Sequence, residues 1–210
     1  MKNESEVMNL DEKRKSTNRQ IKDGVFCLLF GNPENAAELY NAINNTRYSP
    51  AEIQIITLST VVSGRLKNDI AFVVNDKIMV VGEHMSSSYA NMPVRMLMYV
   101  GHLIEKWINI KGEENFLYQS KLHKIPKPEF VIFYNGVDTK PEKETLRLSS
   151  AYENVDSESL GYLELEVPVY NINKGMNKEL FFKSSHLLEM RSLSQQSVNL
   201  IQSWRTTTKR

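Results

Sequence analysis

Along this chain the spacing of apolar residues changes period several times, and each change marks an element. Asn32 and Pro33 precede Ala36, Leu39, Tyr40 and Ile43, so a capping amide and a first-turn proline lead into apolar residues three and four apart. That combination predicts a short helix beginning at Pro33. Ile53-Gln54-Ile55-Ile56-Thr57-Leu58 is β-branched and weakly alternating, which predicts a strand. Two further apolar runs, Asp69 to Val74 and Lys77 to Val81, lie around Asn75-Asp76-Lys77. Turn formers between such runs predict a hairpin, and apolar residues on both strand faces predict a sheet covered on two sides.

Beyond Ser86-Ser87-Ser88, Asn91 reads as the cap of a second helix whose core stripe is Met96, Leu97, Val100, Leu103, Ile104 and Trp107. Arg95, Tyr99, His102 and Lys106 form another stripe on that helix, which suits a solvated face as readily as a DNA-facing one. Phe130-Val131-Ile132-Phe133-Tyr134 is a buried type of strand, stopped by Asn135-Gly136. A polar loop is expected from there to about residue 147. Leu163-Glu164-Leu165-Glu166-Val167 alternates strictly, the pattern of an edge strand or an outer sheet. Helix formers return at Asn177, and the pattern weakens after Leu188.

These elements divide the chain into a polar tail over residues 1–20, one domain over 21–185, and a C-terminal helical extension or tail over 186–210. The tail holds Lys13-Arg14-Lys15, which could touch phosphate but is by default a solvated charge run. A length of 210 residues suits one substantial domain. Hydrophobic residues at 41% and charged residues at 24% exclude disorder as the default for the middle of the chain. With 26 basic and 25 acidic residues, whole-chain charge offers no argument for nucleic acid, so a DNA footprint would have to be local. The single cysteine, Cys27, lies in the apolar run from Val25 to Phe30, where a buried inert thiol is expected. No run approaches the roughly 18 apolar residues of a membrane span, and the charged N-terminus has no apolar leader segment. A cytoplasmic protein without membrane partners is the expectation.

The order of elements is helix, three strands with a hairpin between the second and third, helix, strand. It predicts an α/β fold with an αβββαβ core, a mixed central sheet flanked by helices, and a C-terminal strand and helix extension. The hairpin carries the chemistry. If Asn75-Asp76-Lys77 is a three-residue loop, Val74 faces Ile78, and counting outward brings Asp69 opposite Glu83 on one face. Two carboxylates about 4.5–5.5 Å apart at Cβ repel unless a divalent cation neutralises them, and Mg²⁺ (or Mn²⁺ or Ca²⁺) prefers such oxygen ligands. A change of one residue in the loop would put the two acids on opposite faces. Strand-end polar residues are the alternative reading. Met85, two residues beyond Glu83, shares its face, whereas His84 points the other way. Glu38 on the first helix is a candidate third ligand, with a solvent-facing carboxylate the simpler account. A Cys/His metal cluster, a Gly-rich phosphate loop and a G-x-S-x-G turn are all missing from the sequence.

In order, DGVFCLLFGNPENAAELYNAI, KNDIAFVVNDKIMVVGEHMSS, NMPVRMLMYVGHLIEKW, PEFVIFYNG and LELEVPVYNIN resemble the blocks of the recombination-promoting nuclease family, the PD-(D/E)XK nuclease-type transposases of bacteria. The resemblance covers roughly residues 22–182. It implies a restriction-endonuclease-like fold and a Mg²⁺-dependent DNA endonuclease, with Asn68-Asp69, Glu83-His84 and the helix start Asn91-Met92-Pro93 with Arg95 matching the family's motifs. Asp69 and Glu83 would be metal ligands and catalytic residues. DNA would be the partner, along with a second copy or a related family protein. Met85 departs from the pattern, because such nucleases carry Lys or a polar substitute there and this family commonly carries Gln. A thioether offers neither charge nor a strong donor to the attacking water or the phosphate. Lys67, His84 and Lys106 are the candidates for compensation and, with Arg95, for DNA contacts. A nuclease fold that no longer cuts, and acts by binding DNA or another protein, is the alternative. The region after Leu188 is also shorter and less regular than the family pattern.

Overall fold

Asn32 caps its helix as the sequence predicts, its side-chain oxygen accepting the N–H of Asn35 at 2.9 Å. The computed structural model describes residues 25–57, 70–87, 89–112, 115–153 and 162–193. The polar tail and the chain beyond residue 193 lie outside the described residues. The apolar run over 25–30 is helical (α1) and buries Phe26 and Phe30, one turn apart. Cys27, expected to be buried, is only partly so, because the helix turns it off the Phe26–Phe30 line. Pro33–Asn44 forms α2 and buries Ala36, Ala37, Leu39, Tyr40 and Ala42.

Among the described residues six strands follow: β1 (Ile53–Ile55), β2 (Ile70–Val74), β3 (Ile78–Met85), β4 (Lys127–Tyr134), β5 (Lys143–Arg147) and β6 (Glu166–Asn171). They form one mixed sheet in the order β1-β2-β3-β4-β6-β5. β2 is antiparallel to both of its neighbours, β1 and β3, β4 lies parallel to β3, β6 parallel to β4, and β5 antiparallel to β6. The 20-residue helix α3 (Met92–Lys111) connects the parallel pair β3 and β4, as a crossover of that kind requires. Two short helices, α4 (Lys178–Lys183) and α5 (185–193), end the described chain.

The alternation of strand side chains divides the core into two layers. Ala71, Val73, Met79, Val81, Ile132, Val167 and Val169 meet Met96, Tyr99, Leu103 and Trp107 of α3. Ile70, Phe72, Val74, Val80, Val131 and Phe133 meet α1, α2, α4 and α5 through residues such as Phe26, Leu39, Leu180 and Leu187. Both faces are therefore covered, which is why β2 and the inner part of β3 are apolar throughout.

The hairpin loop is three residues, as predicted. Asn75 and Asp76 take left-handed backbone angles of 49° and 55° in φ, and the Lys77 N–H donates to the Val74 carbonyl at 3.0 Å. Asn and Asp tolerate this conformation better than most residues, so the turn chemistry fixes the register from Val74↔Ile78 through Ile70↔Gly82. At Gly82 the backbone approach is close: a Cβ there would stand 2.8 Å from a methyl of Ile70.

Three sequence expectations need correction. Lys143–Arg147, read as polar loop, is the edge strand β5, and its alternating exposure fits a strand whose outer side chains remain wet. The strand expected over 163–167 starts at Glu166, and it lies inside the sheet between β4 and β5 rather than at an edge. Asn91 occupies the position before α3, but its side chain makes no capping hydrogen bond.

Candidate functional site

Glu83 sits near the C-terminal end of β3, on the face that packs against α3, and only 3% of its side chain is exposed. A carboxylate at such depth needs a counter-charge or a dense set of donors. Arg95, in the first turn of α3, supplies one: its Nη2 lies 3.2 Å from Oε2 of Glu83. The same guanidinium donates to the Tyr99 hydroxyl through Nη2 at 2.6 Å and Nε at 3.1 Å, and its Nη1 lies 3.0 Å from the Met92 sulfur. Residues 92, 95 and 99 share one helix face, so the helical period itself builds a cradle for the arginine above the carboxylate. Tyr99, which the sequence grouped with a surface stripe, is buried. The 38% exposure of Arg95 leaves one side of it open to solvent.

Met85 lies two residues further along the same strand face, partly buried against the α3 layer, and pairs in register with Tyr134 of β4. Tyr134 and Tyr89 meet edge to face at 5.3 Å between ring centres. The Tyr89 hydroxyl donates to the Glu144 carboxylate of β5, and the Lys140 ammonium lies 4.7 Å above the Tyr89 ring. Burial first, then the hydrogen bond and charge of Glu144, push the Tyr89 phenol well above the ordinary tyrosine range. Burial also raises Tyr134, against the opposing hydrogen bond from the Asp138 backbone. Both rings therefore remain neutral phenols in the physiological range. This aromatic and acidic neighbour group was missed in the sequence because Glu144 had been placed in a loop. The alternation Glu144, Leu146 was the available signal.

The other candidate residues are dispersed. Lys67 and Asp69 lie outside the described residues. His84 points to the opposite face, as strand alternation requires, and is buried 6.0 Å from the Phe26 ring. Buried there, it offers no surface to DNA, which corrects its candidacy as a contact. Lys106 is tied to the carbonyl of Thr57 at 2.8 Å, so it joins α3 to the chain leaving β1. Glu38 is on α2, on the other side of the sheet from the face Glu83 occupies. Its carboxylate lies 2.8 Å from Nδ1 of His186 and accepts the His186 backbone N–H at 3.3 Å. Burial raises the Glu38 pKa, but hydrogen bonds from Ser184 and His186 and the charge of His186 outweigh it and hold the group below its usual value. Glu38 thus anchors α5 and is not brought to Glu83, contrary to its candidacy as a third ligand.

Among the described residues no three His, Cys, Asp or Glu side chains gather as a metal cluster. The described residues offer a divalent cation one buried carboxylate, Glu83, which already attracts a positive charge. That suits a hard cation in chemistry, and chelation would need the second acid expected at Asp69. Among the described residues no helix is long and apolar enough to cross a membrane. No protein-family model matches the chain, and neither curated proteins nor solved structures give a match to it.

Proposed function

We propose that this protein is a Mg²⁺-dependent DNA endonuclease with a restriction-endonuclease-like αβββαβ core, of the recombination-promoting nuclease type. The observation that carries the reading is the hairpin register. Its pairs run from Val74↔Ile78 to Ile70↔Gly82, and one further pair would set Asp69 against Glu83. The pairs formed by the described residues keep the register on which that count depends. A mixed sheet in which α3 links two parallel strands supports the same reading.

In this reading Asp69 and Glu83 would hold the cation, which when bound would supply charge neutralisation and a water of lowered pKa. The chain's own part is placement. β3 fixes Glu83 in a site from which most water is excluded, and Arg95, partly exposed beside it, would orient a phosphate. DNA is the partner, and phosphodiester hydrolysis is the reaction.

A second reading is favoured by Met85. Its thioether stands on the Glu83 face where a lysine or amide would act, and losing one such donor costs about 10²–10³ in rate. The protein would then be a weak or inactive nuclease fold acting through DNA or protein binding.

Nicking of supercoiled plasmid in Mg²⁺ or Mn²⁺ tests the first reading. Cleavage by the wild type and its loss in Asp69→Ala and Glu83→Gln are expected. Cleavage that survives both substitutions would remove the assignment, and binding without any cleavage would favour the second reading.

A further inference from the structure

β5 is an outermost strand of the sheet, and its register decides which of its backbone groups are engaged. The Asn171 N–H donates to the Glu142 carbonyl and the Leu148 N–H to the Leu165 carbonyl, both at 3.0 Å. These two bonds bracket the pairs from Lys143↔Tyr170 to Arg147↔Glu166. Directly opposed residues in an antiparallel pair alternate between bonded and non-bonded, so the bonded pairs in between are Glu144↔Val169 and Leu146↔Val167. Lys143, Thr145 and Arg147 therefore turn their N–H and C=O groups away from β6, to the side on which no strand lies among the described residues. Pro168 agrees with this register. It stands opposite Thr145, in a non-bonded pair, where its missing N–H removes no bond to β5.

The strand is held from its other sides. Leu146 packs against the α3-side layer, the Tyr89 hydroxyl donates to Glu144, and the Asn177 side chain donates to the Glu142 carbonyl. On the opposite face Lys143, Thr145 and Arg147 are exposed in a row. The Lys143 ammonium lies 4.8 Å over the Tyr170 ring, and Arg147 lies 2.8 Å from Glu166, which sits one strand further in. The edge thus presents two cations on one face, with Glu144 and Leu146 on the other. A second copy of β5 paired about Thr145 would set Lys143 against Arg147 of that copy, like charge against like. An extended segment with carboxylates at those two places meets opposite charges instead.

We infer that the open edge of β5 is a docking site for an extended acidic segment of a partner protein, which adds to the sheet as an antiparallel strand. Its carboxylates face Lys143 and Arg147, and its intervening apolar side chains lie beside Leu146 on the other face. The backbone of Lys143, Thr145 and Arg147 binds the strand whatever its sequence, and the two cations select for acids. The site uses neither Glu83 nor the hairpin, so it is independent of the nuclease reading.

Fluorescence anisotropy of a dye-labelled peptide of alternating Glu and Val, titrated with the full chain, tests the docking. Wild type should bind it, more weakly as salt rises, and should bind the Lys-Val counterpart about tenfold or more weakly. Thr145→Pro removes an outward N–H without touching the β6 ladder. It should weaken binding about tenfold or more with an unchanged circular dichroism spectrum. Two N-methylated peptides put the same question to the ligand, so the answer does not depend on a variant folding. Methylating the Glu amides, which face β5 in the antiparallel pair, should abolish binding, whereas methylating the Val amides, which face away, should leave it nearly intact. No binding at low salt, equal binding of the Lys-Val peptide, or indifference to which amides are methylated would each overturn the proposal. A dimer of the free protein that Thr145→Pro dissociates in sedimentation would overturn it too, by giving the edge to a second copy.

Discussion

Arg95 and Glu83 form an ion pair in which the acid is buried and the base is half in solvent. The asymmetry sets the energetic consequence of breaking it from either side. Removing Arg95 takes a positive charge from beside a buried carboxylate, whereas neutralising Glu83 leaves a charge on an arginine that water can still reach. Arg95→Met should therefore destabilise the fold by about 1–3 kcal/mol, discounted from a fully buried pair by the arginine's exposure. Glu83→Gln should cost less. Urea unfolding of the two variants in chelator measures the difference, and a larger loss in Glu83→Gln would contradict the asymmetry.

Gly82 is the residue on which the hairpin closes. A Cβ at this position would lie 2.8 Å from a methyl of Ile70, with Val131 and Phe26 next nearest, all in the buried α2-side layer. Relief would require β2 and β3 to separate locally. Gly82→Ala should cost about 1–3 kcal/mol, as overpacked core sites do. A thermal unfolding midpoint unchanged from wild type would show that the strands yield without loss.

Glu38 ties α5 to α2 through His186, and its pKa is lowered in the folded chain. A carboxyl whose folded pKa is depressed contributes stability above its unfolded pKa, and loses it as pH falls through the folded value. The contribution should thus be complete at neutral pH and decline only in the acid range below the ordinary carboxyl pKa. Glu38→Gln should flatten that part of the stability profile. Urea midpoints measured from neutral to acidic pH check it, and an identical acid slope in both proteins would remove Glu38 as the group responsible.

The hairpin was legible in the sequence because its turn and its strands agree. Asn75 and Asp76 are residues that accept positive φ, and the apolar runs on either side allow one register. The partner of Glu83 was not legible in the same way. Arg95 reaches Glu83 only because α3 crosses back over the sheet between β3 and β4, a contact that no spacing within the helix reveals. The edge strand β5 was hidden for a different reason: Lys143, Thr145 and Arg147 face solvent, so its pattern is that of a loop unless Glu144 and Leu146 are read as its inner face. His84 and Glu38 show the cost of reading acids and imidazoles without the sheet between them. Both lie in the layer opposite the Glu83 face, one against Phe26 and the other on His186.

Met85 offers the sharpest division between the two readings of function. Its side chain shares the strand face of Glu83 and packs at the edge of the α3 layer, partly buried. A lysine there would keep its stem along the same apolar surface and carry its ammonium to the rim, so the fold should tolerate Met85→Lys with only a modest loss of stability. In the nuclease reading the new charge would stand where negative charge develops on an attacked phosphate, which is worth about 10²–10³ in rate. If the protein is a nuclease impaired at this one position, Met85→Lys should raise Mg²⁺-dependent plasmid nicking by about that factor, and Asp69→Ala in the same background should abolish the gain. If the protein already cuts well, another cation such as Arg95 or Lys67 would supply the missing charge, and Met85→Lys should change the rate little. A variant that stays folded, binds Mn²⁺ through Glu83 and still leaves the plasmid intact would place the function in binding, with hydrolysis lost for reasons other than Met85.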